Sequence, residues 1–369
     1  MKVTICGAGR GGLSMAAELT LQGHEVTLFQ IAQFESVIKS VVEQKGITIT
    51  GATASGKTGK VMPKSLTTDP GKAIPGAEVL MLTVPAYGHE SFMQAIAPHL
   101  QDGQILVVNT GYWASLRFQS LLEKFGKKVI MAETELLIYL TKGVGPAQVH
   151  IDGTKNEVSL AAMPASKTSF VLSKVNQLYP QFKGVHSVLE INLTNINPYI
   201  HMPILLLSTA GIENLGSSPC YFYRNGCTPR ASRIIDAVDR ERDAMGRALG
   251  LKLQSLLQRQ IKMYGHVGSQ GKTFYEAVKT NQAYQAFSIT PGDYAFEMAD
   301  EGIPYGLIPV VTLAEQIRVQ VPTMRALVQL HSLGSGRNFW AEGATPEQLG
   351  LGGMSAEAIR KYVETGEKG

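Results

Sequence analysis

Residues 3–14 read Val-Thr-Ile-Cys-Gly-Ala-Gly-Arg-Gly-Gly-Leu-Ser, an apolar run that passes into a glycine-rich turn and then a helical pattern. The turn has the form Gly7-x-Gly9-x-x-Gly12. In a dinucleotide site the first glycine allows the tight turn, the second lets backbone approach a pyrophosphate, and the third lets helix and strand pack closely. A second apolar run at residues 25–29 stands where a βαβ unit requires its next strand. The stretch therefore predicts a nucleotide-cofactor site rather than a purely structural turn.

The rest of the first half alternates short apolar runs with amphipathic segments. Strands are predicted at residues 3–6, 26–29, 47–50, 79–84, 105–109, 129–132, 148–152, 157–162 and 187–193, and helices at 89–99, 116–125 and 166–178. This order predicts an α/β, doubly wound, mostly parallel Rossmann-type domain over residues 1–188.

The second half changes to longer helical patterns, and residues 189–369 are predicted to form an all-α domain. Helices are predicted at residues 231–249, 273–280, 313–318, 322–333 and 355–364. We expect the active site in the cleft between the two domains, because small-molecule sites are commonly found there.

Bulk composition excludes several classes of partner. The chain has 369 residues, 17% of them charged, with a net charge of +4 and no basic block, so we expect no nucleic acid partner. No window approaches the ~18 uninterrupted apolar residues of a membrane span, and the glycine-broken N-terminal run is unlike a signal peptide. The three cysteines, Cys6, Cys220 and Cys227, form no CxxC metal pattern. We expect a cytoplasmic protein without a membrane or metal site, and a homodimer is compatible with the sequence.

Residues 51–58, Gly-Ala-Thr-Ala-Ser-Gly-Lys-Thr, match the phosphate-binding loop pattern GxxxxGK[ST]. That loop needs a helix beginning at the Lys-Thr pair. Here Gly59 and Pro63 follow and oppose a helix, and residues 61–68 have an extended pattern. The segment is therefore predicted to be a Gly/Ser-rich hairpin without nucleotide hydrolysis.

Cofactor contacts are predicted at the ends of several strands. Where an NAD site usually has Asp or Glu at the end of the second strand, this chain has Gln30. A neutral residue removes repulsion of a 2′-phosphate and Arg10 adds positive charge nearby, which favours NADP(H), although Gln30 also suits an NAD(H) ribose. The predicted contacts are Gly7, Gly9, Arg10, Gly11, Gly12, Gln30, Pro85, Asn109 and Gly111, with the last three open to the alternative of plain connections.

The most informative segment of the second half runs from Asn197-Pro198 to His201 and Pro203. A histidine can exchange a proton near neutral pH, but a histidine beside an apolar run is also commonly structural. Taken by itself, the segment leaves both interpretations of His201 open.

Together these motifs resemble the octopine/nopaline (opine) dehydrogenase family along nearly the whole chain. The resemblance rests on the Gly7–Gly12 turn, Val84-Pro-Ala86, Asn109-x-Gly111, Ala132-Glu-Thr134, Asn197-Pro-x-x-His201, Phe222-Tyr-Arg-Asn-Gly226-x-Thr-Pro229 and Ile303-Pro-Tyr-Gly-Leu-Ile-Pro309. It implies an NAD(P)H-dependent enzyme that condenses an amine or amino acid with a 2-oxo acid and reduces the imine. It also implies His201 as catalytic acid/base with a carboxylate partner, either Asp300 or Glu301.

One departure from the family concerns substrate binding. The family has an arginine and then an acidic pair before the Pro-Tyr-Gly-Leu turn, whereas here the arginine is absent and the pair Asp300-Glu301 is displaced by one residue. An arginine suits a substrate carboxylate. Arg224, Arg230 or Arg233 are the candidate replacements for this arginine, with surface solvation as the alternative for all three. Asn197 is a further candidate substrate residue, and Arg224 and Arg230 are the preferred arginines. A 2-oxo acid reductase without an amine partner and a non-catalytic dinucleotide-binding protein remain the alternative functions.

Overall fold

The chain folds into two units, Met1–Ile191 and Asn192–Gly369. A computed structural model describes residues 1–290 and 292–368, without the side chain of residue 293. The first unit is α/β and the second is helical. The predicted class, a Rossmann-type α/β domain followed by an all-α domain, is confirmed.

The described residues of the first unit form twelve strands and eight helices. The strands are β1 (Lys2–Cys6), β2 (Glu25–Phe29), β3 (Ile47–Gly51), β4 (Gly59–Val61), β5 (Ser65–Thr67), β6 (Val79–Leu82), β7 (Ile105–Asn109), β8 (Ile130–Thr134), β9 (Tyr139–Gly145), β10 (Gln148–Thr154), β11 (Val158–Met163) and β12 (Phe182–Gly184). The helices are α1 (Arg10–Leu21), α2 (Glu35–Glu43), α3 (Pro70–Ala73), α4 (His89–Ile96), α5 (Ala114–Arg117), α6 (Gln119–Lys124), α7 (Thr168–Val175) and α8 (Val188–Thr194).

Eight of the strands form one sheet in the order β12-β11-β8-β7-β6-β1-β2-β5. All neighbouring pairs are parallel except β8 with β11. The chain adds β2 and β5 on one side of β1 and then β6 and β7 on the other. The switch of direction therefore lies between β1 and β6, and the carboxyl ends of these strands border the crevice where such sheets bind ligands.

A second, four-stranded sheet has the order β4-β3-β10-β9. The predicted strands at residues 47–50 and 148–152 exist, but they pair with each other in this sheet and are not part of the doubly wound one. Buried Ile49 and Ile151 share one apolar cluster with Met15 and Leu19 of α1 and with strands of the large sheet. Helix α1 is thus covered by strands of both sheets, and this explains why its residues are buried along most of its length.

The segment that matches the phosphate-binding loop is a hairpin, as the sequence predicts. Strands β3 and β4 pair antiparallel, with Ile49 opposite Gly59, and no helix begins at Lys57. The loop is fastened to α1, because Glu18 Oε1 accepts the Ser55 backbone N–H (2.5 Å) and hydroxyl (2.7 Å). Lys57 Nζ, at the surface, donates to the carbonyl of Leu21 at 3.0 Å.

The second unit contains eleven helices within the described residues. They are α9 (Ile196–Glu213), α10 (Phe222–Gly226), α11 (Pro229–Ala248), α12 (Leu256–Tyr264), α13 (Phe274–Thr280), α14 (Gln282–Ala286), α15 (Glu297–Glu301), α16 (Ile308–Gln316), α17 (Pro322–Ser335), α18 (Phe339–Glu342) and α19 (Ala356–Thr365). A π-helical turn, Gly302–Leu307, joins α15 to α16. No helix in the described part of the chain combines the length and hydropathy that a membrane span needs.

Local sequence explains several helix starts. Thr228 caps α11 by accepting the Ala231 N–H at 3.2 Å, and Pro229 occupies the first turn, where a missing N–H costs nothing. Helices α12 and α13 begin with complete capping boxes, formed by Ser255 with Gln258 and by Thr273 with Glu276.

Two element predictions are corrected by the structure. Residues 187–193, predicted as a strand, form the start and body of α8, where Glu190 accepts the His186 N–H at 2.9 Å and Ile191 N–H donates to the Ser187 carbonyl at 3.2 Å. Six of these seven residues are buried, Glu190 being half-buried, so the pattern of burial does not separate strand from helix. The predicted helix at residues 116–125 is two helices, α5 and α6, that meet at Phe118.

Ser55→Ala is expected to lower the free energy of unfolding by about 1.5–3 kcal/mol, because it removes a hydroxyl donor from the buried Glu18 carboxylate. Lys57→Ala, the matched change in the same loop, is expected to alter it by less than about 0.5 kcal/mol, since this lysine is exposed. Urea unfolding followed by circular dichroism measures both. A cost for Lys57→Ala equal to that of Ser55→Ala, or ATP hydrolysis that this variant abolishes, contradicts the hairpin assignment.

Candidate functional site

The glycine turn connects β1 directly to α1. Gly7 has φ +106°, a left-handed conformation that suits glycine, and Gly9 is the N-cap of α1 without a side-chain cap. The first hydrogen bond of the helix runs from the Leu13 N–H to the Gly9 carbonyl at 2.8 Å. The N–H groups of Arg10, Gly11 and Gly12 therefore precede the bonded ladder at the positive end of the helix dipole, which is where an anion binds.

The space around Gly12 is filled by protein atoms, whereas the space around Gly9 is open. A Cβ on Gly12 would stand 1.8 Å from the Gly7 carbonyl oxygen and 2.7 Å from Thr83 Oγ1, so α1 and the turn are in direct backbone contact. A Cβ on Gly9 would meet nothing within 4 Å, so open space lies over this part of the turn. Close packing at the third glycine and free access at the second are what a bound pyrophosphate requires, and the turn therefore fits a dinucleotide cofactor.

Gln30 follows β2 at the same edge of the sheet and is 5% exposed. Its backbone N–H donates to the Thr67 carbonyl at 3.2 Å, and its Oε1 accepts the Ile31 N–H at 3.0 Å. The side-chain oxygen is thus held by the backbone while the amide NH2 remains the donor that can meet a ligand. Arg10, the first residue of α1 and part of the glycine turn, is exposed.

The other predicted cofactor positions differ in whether a side chain or only the backbone is available to a ligand. Pro85 is exposed and precedes the short 3-10 turn Ala86–Gly88. Asn109 is 4% exposed, with its amide donating to the Val107 carbonyl (3.2 Å) and accepting from Thr134 Oγ1 (3.3 Å), so its side chain is used inside the sheet. Gly111 lies directly against Glu133, because a Cβ there would stand 2.2 Å from Glu133 Oε2. Any contact from this turn is therefore a backbone contact.

His201 lies in α9 of the second unit and is 9% exposed. The helix begins at the Asn195 cap, whose side chain accepts the Asn197 N–H at 3.1 Å. The ring Nε2 of His201 is 2.8 Å from the hydroxyl oxygen of Tyr223 in α10, and the Phe222 ring packs edge-on against the imidazole at 5.5 Å. Burial lowers the pKa of His201 to about 3, so the imidazole is neutral at pH 7.

The carboxylate partner expected for His201, Asp300 or Glu301, stays a prediction. The Asp300 carboxylate pairs with the Arg337 guanidinium, and the described hydrogen bond of the His201 ring joins Nε2 to a phenol. Glu301 ends α15 at the π-helical turn.

The predicted substrate residues are not gathered in one place by side-chain contacts. Asn197 is half-buried at the start of α9. Arg224 and Arg230 are exposed, and the Arg224 guanidinium stacks on the Tyr221 ring at 3.5 Å. Arg337, which sequence reasoning did not single out, is the arginine beside Asp300.

A cavity of about 390 Å³ lies in the second unit. Its charged lining consists of Glu213, Glu297, Asp300 and Arg337. His331 also lines it, and the Nε2 of this residue is 3.0 Å from the carbonyl of Met202, the residue after His201. In the described part of the chain no group of three or more His, Cys, Asp or Glu side chains is arranged to hold a metal.

Tyr223 belongs to a motif of the family resemblance, but the sequence predicts no role for it. The sequence does not predict Tyr284 as a site residue. The two rings are stacked with centroids 3.8 Å apart and planes inclined by 6°. They lie 61 positions apart in the sequence, and no local pattern links residues at such a separation. The one available signal was the aromatic pair Phe222-Tyr223 at the start of the Phe-Tyr-Arg-Asn-Gly segment that forms α10.

The α/β part and the helical part of the chain match two different protein families. Residues 184–334 match the family described as NAD/NADP octopine/nopaline dehydrogenase, alpha-helical domain, and residues 3–164 match ketopantoate reductase PanE/ApbA. The chain is 32% identical to an opine dehydrogenase of Arthrobacter sp. (strain 1C), covering 98% of each chain.

Two solved structures share the fold over the whole length. Octopine dehydrogenase in complex with NADH and agmatine superposes with a TM-score of 0.80 at 23% identity, covering 100% of this chain and 99% of the other. Octopine dehydrogenase with NADH and pyruvate gives a TM-score of 0.75 at 22% identity with the same coverage.

Gly9→Ala is expected to weaken NAD(P)H binding by about tenfold or more, because its Cβ enters the space where backbone must approach the pyrophosphate. It should leave the unfolding midpoint nearly unchanged, since the Cβ meets no protein atom. Gly12→Ala should instead destabilise the fold. Fluorescence titration with NADH and NADPH, beside thermal unfolding, measures both properties.

Gly265→Ala is the matched control, because a Cβ at this position also meets nothing within 4 Å and lies in the second unit. Unchanged cofactor affinity in Gly9→Ala, together with a normal melting temperature, would show that the pyrophosphate does not approach this glycine.

Proposed function

The chain belongs to the opine dehydrogenase family of NAD(P)-dependent oxidoreductases acting on CH–NH bonds, and on that premise we propose that it condenses an amine with a 2-oxo acid and reduces the resulting imine. The single observation that carries the proposal is the presence, in one chain, of a dinucleotide-type glycine turn and a buried neutral histidine in the family's helical domain. Agmatine and pyruvate in the octopine dehydrogenase structures supply the substrate classes.

The first unit supplies the cofactor contacts. Gly7, Gly9 and the first amides of α1 would hold the pyrophosphate, and Gln30 with Arg10 would bind the adenosine ribose. When bound, NAD(P)H supplies the hydride that reduces the imine carbon. The protein's own contribution is to hold the reactants and to move protons.

His201 is proposed to carry two protons in turn through the condensation. The amine arrives as an ammonium ion, R–NH3⁺, which cannot attack a carbonyl until a base removes a proton. Neutral His201 accepts that proton, the amine adds to the keto carbon, and the resulting imidazolium protonates the oxygen to a hydroxyl. The ring then takes a second proton from the adduct nitrogen and returns it to the hydroxyl. Water leaves and an iminium ion remains, so that one ammonium and one carbonyl give one iminium and one water.

The local environment supports this proton exchange. Burial keeps the ring neutral before substrate arrives, so it is in the form that accepts a proton. The carboxylate of a 2-oxo acid bound nearby is a negative charge, which favours the imidazolium and raises the histidine pKa toward the working range. The ring is also held in orientation by Phe222 and Tyr223.

A 2-oxo acid reductase without an amine partner is the alternative that the ketopantoate reductase match favours. That match covers only residues 3–164, the cofactor-binding half. The half that carries His201 matches the octopine/nopaline dehydrogenase description instead. The amine-dependent reaction is therefore the better-supported proposal.

A matrix of amines against 2-oxo acids separates these functions. Oxidation of NADPH and NADH is followed by absorbance, and products are identified by mass spectrometry. Consumption that requires both partners and yields a secondary amine supports the proposal. Consumption with the oxo acid alone supports the reductase, and cofactor binding without turnover over the whole matrix supports a binding protein.

His201→Asn is expected to lower kcat by about 10²–10⁴-fold, the usual contribution of a positioned general acid–base group. Cofactor affinity should stay at the parent value, because no glycine of the turn is changed. Steady-state kinetics and NADPH titration test this, with His266→Asn, an exposed histidine of the same unit, as the control. Near-parent turnover in His201→Asn would leave this residue a structural histidine.

Cofactor choice is proposed to favour NADP(H). The position after β2 carries no carboxylate to repel a 2′-phosphate, the Gln30 amide can donate, and Arg10 adds a positive charge in the neighbouring loop. The family description itself includes both NAD and NADP.

Gln30→Glu is expected to weaken NADPH binding and to improve NADH binding relative to it, because the new carboxylate repels a 2′-phosphate and accepts from a ribose hydroxyl. Gln30→Ala, which removes the amide without adding charge, is the companion variant. Dissociation constants for both cofactors give the result. A parent enzyme that binds NADH far more tightly than NADPH would rule out the preference.

A further inference from the structure

His201 is the first member of a buried row of polar rings in the second unit. Its Nε2 lies 2.8 Å from the Tyr223 hydroxyl. The Tyr223 and Tyr284 rings are stacked 3.8 Å apart and nearly parallel, and the Tyr264 ring lies 5.1 Å from that of Tyr284. All three phenols are at most 5% exposed. The described contacts of the imidazole therefore lead into the protein interior, through phenols rather than carboxylates.

Polar side chains flank the far end of the row. The Tyr284 hydroxyl interacts with those of Tyr223 and Tyr264 and with the Gln260 side chain. Gln260 Nε2 is in turn 3.5 Å from Ser269 Oγ, whose hydroxyl donates to the Ala277 carbonyl at 2.8 Å. The far end of the row is thus anchored on the backbone of α13.

Each phenol in the row has one proton to donate. Burial raises the pKa of Tyr223 and Tyr284 well above the ordinary value, so both are neutral and protonated. The Tyr223 hydroxyl occupies Nε2 of the imidazole at 2.8 Å, so Nδ1 is the nitrogen left to exchange a proton. A neutral imidazole whose Nδ1 accepts a proton carries its own proton on Nε2, and the Tyr223 oxygen then accepts that proton.

We propose that Tyr223, held by its stack on Tyr284, is a positioning residue that accepts the Nε2–H of His201 and leaves Nδ1 as the nitrogen that exchanges the proton with substrate. This inference rests on the proposed role of His201. It goes further by assigning the tautomer and the acting nitrogen. Histidine-based sites elsewhere use an acidic partner for the same purpose, whereas this chain uses a neutral phenol.

The phenol also suits a ring that must gain and lose a proton. A neutral acceptor orients the Nε2–H without fixing a positive charge on the imidazole, so the ring stays neutral while the site is empty. The edge of Phe222, at 5.5 Å and 89° to the imidazole, restricts rotation that would exchange the two nitrogens. Loss of the Tyr223 hydroxyl would leave a buried N–H without an acceptor, and the ring would then be free to change tautomer or rotate.

Tyr223→Phe is expected to lower kcat by about tenfold, the rate equivalent of one hydrogen bond, while KM for amine and oxo acid stays close to the parent value. Tyr284→Phe keeps the stack and the Tyr223 hydroxyl but removes the neighbouring hydroxyl, so a smaller loss in kcat is expected. Steady-state kinetics in both substrates measure the split.

Tyr199→Phe is the matched control. Tyr199 is a fully buried phenol in α9, two residues before His201, and its hydroxyl donates to the Asn192 carbonyl at 3.3 Å outside the row. It should lower the melting temperature about as much as Tyr223→Phe does and leave kcat unchanged. Equal losses of kcat in the two variants would overturn the proposal.

A double-variant cycle separates positioning from general structural damage. In a His201→Asn background, Tyr223→Phe is expected to cause no further loss of kcat, because the phenol acts through the imidazole. A tenfold loss that persists in that background would overturn the positioning role. Parent-level turnover in His201→Asn alone would instead show that the proposed function of His201 has failed.

The tautomer is tested without turnover by ¹⁵N NMR of histidine-labelled protein, with the His201 signals assigned by their loss in His201→Asn. The parent is expected to show a protonated Nε2 and an unprotonated Nδ1. Tyr223→Phe should shift the ring toward a mixture of tautomers. A parent spectrum with the proton on Nδ1, or identical spectra for the two proteins, contradicts the assignment whatever the kinetics show.

Discussion

The backbone contact between helix α1 and the glycine turn is the constraint on which the first unit depends. With no Cβ at Gly12, the helix approaches the Gly7 carbonyl more closely than any other residue would permit. That approach lets the apolar residues of α1 pack against strands of both sheets. It also directs the unbonded amides at the start of the helix into the crevice at the switch point of the large sheet. One missing methyl group thus serves packing and ligand binding together.

In the second unit, burial sets the chemistry. His201 is a neutral ring because water is excluded from it, and its described hydrogen bond is to a phenol that burial keeps protonated. The Asp300 carboxylate pairs with Arg337, and burial alone is the cause of the lowered pKa of His201. An uncharged environment of this kind favours a group that takes up a proton when an ionic substrate arrives, and the proposed condensation needs such a group.

The residues flanking a motif were more informative about its function than the motif pattern itself. Residues 51–58 match a phosphate-binding loop, yet Gly59 and Pro63 exclude the helix that the loop requires, and the segment is a hairpin fastened to Glu18. The Gly7–Gly12 turn has both its strand and its helix. A motif predicted function here only when its neighbours could form the secondary structure on which its chemistry depends.

The sequence by itself determined the α/β and all-α division, most strands of the large sheet and the glycine turn with its strand and helix, because each depends on residues a few positions apart. It could not determine that residues 47–51 and 148–154 form a second sheet over α1, since that pairing joins segments about a hundred positions apart. It also misassigned residues 187–193 and did not predict helix α9, which carries His201. Only the tertiary structure brought Tyr223 and Tyr284 to His201 and turned Asp300 toward Arg337. Packing decides which distant side chains meet, and the partner of a buried ring is therefore a property of the folded chain.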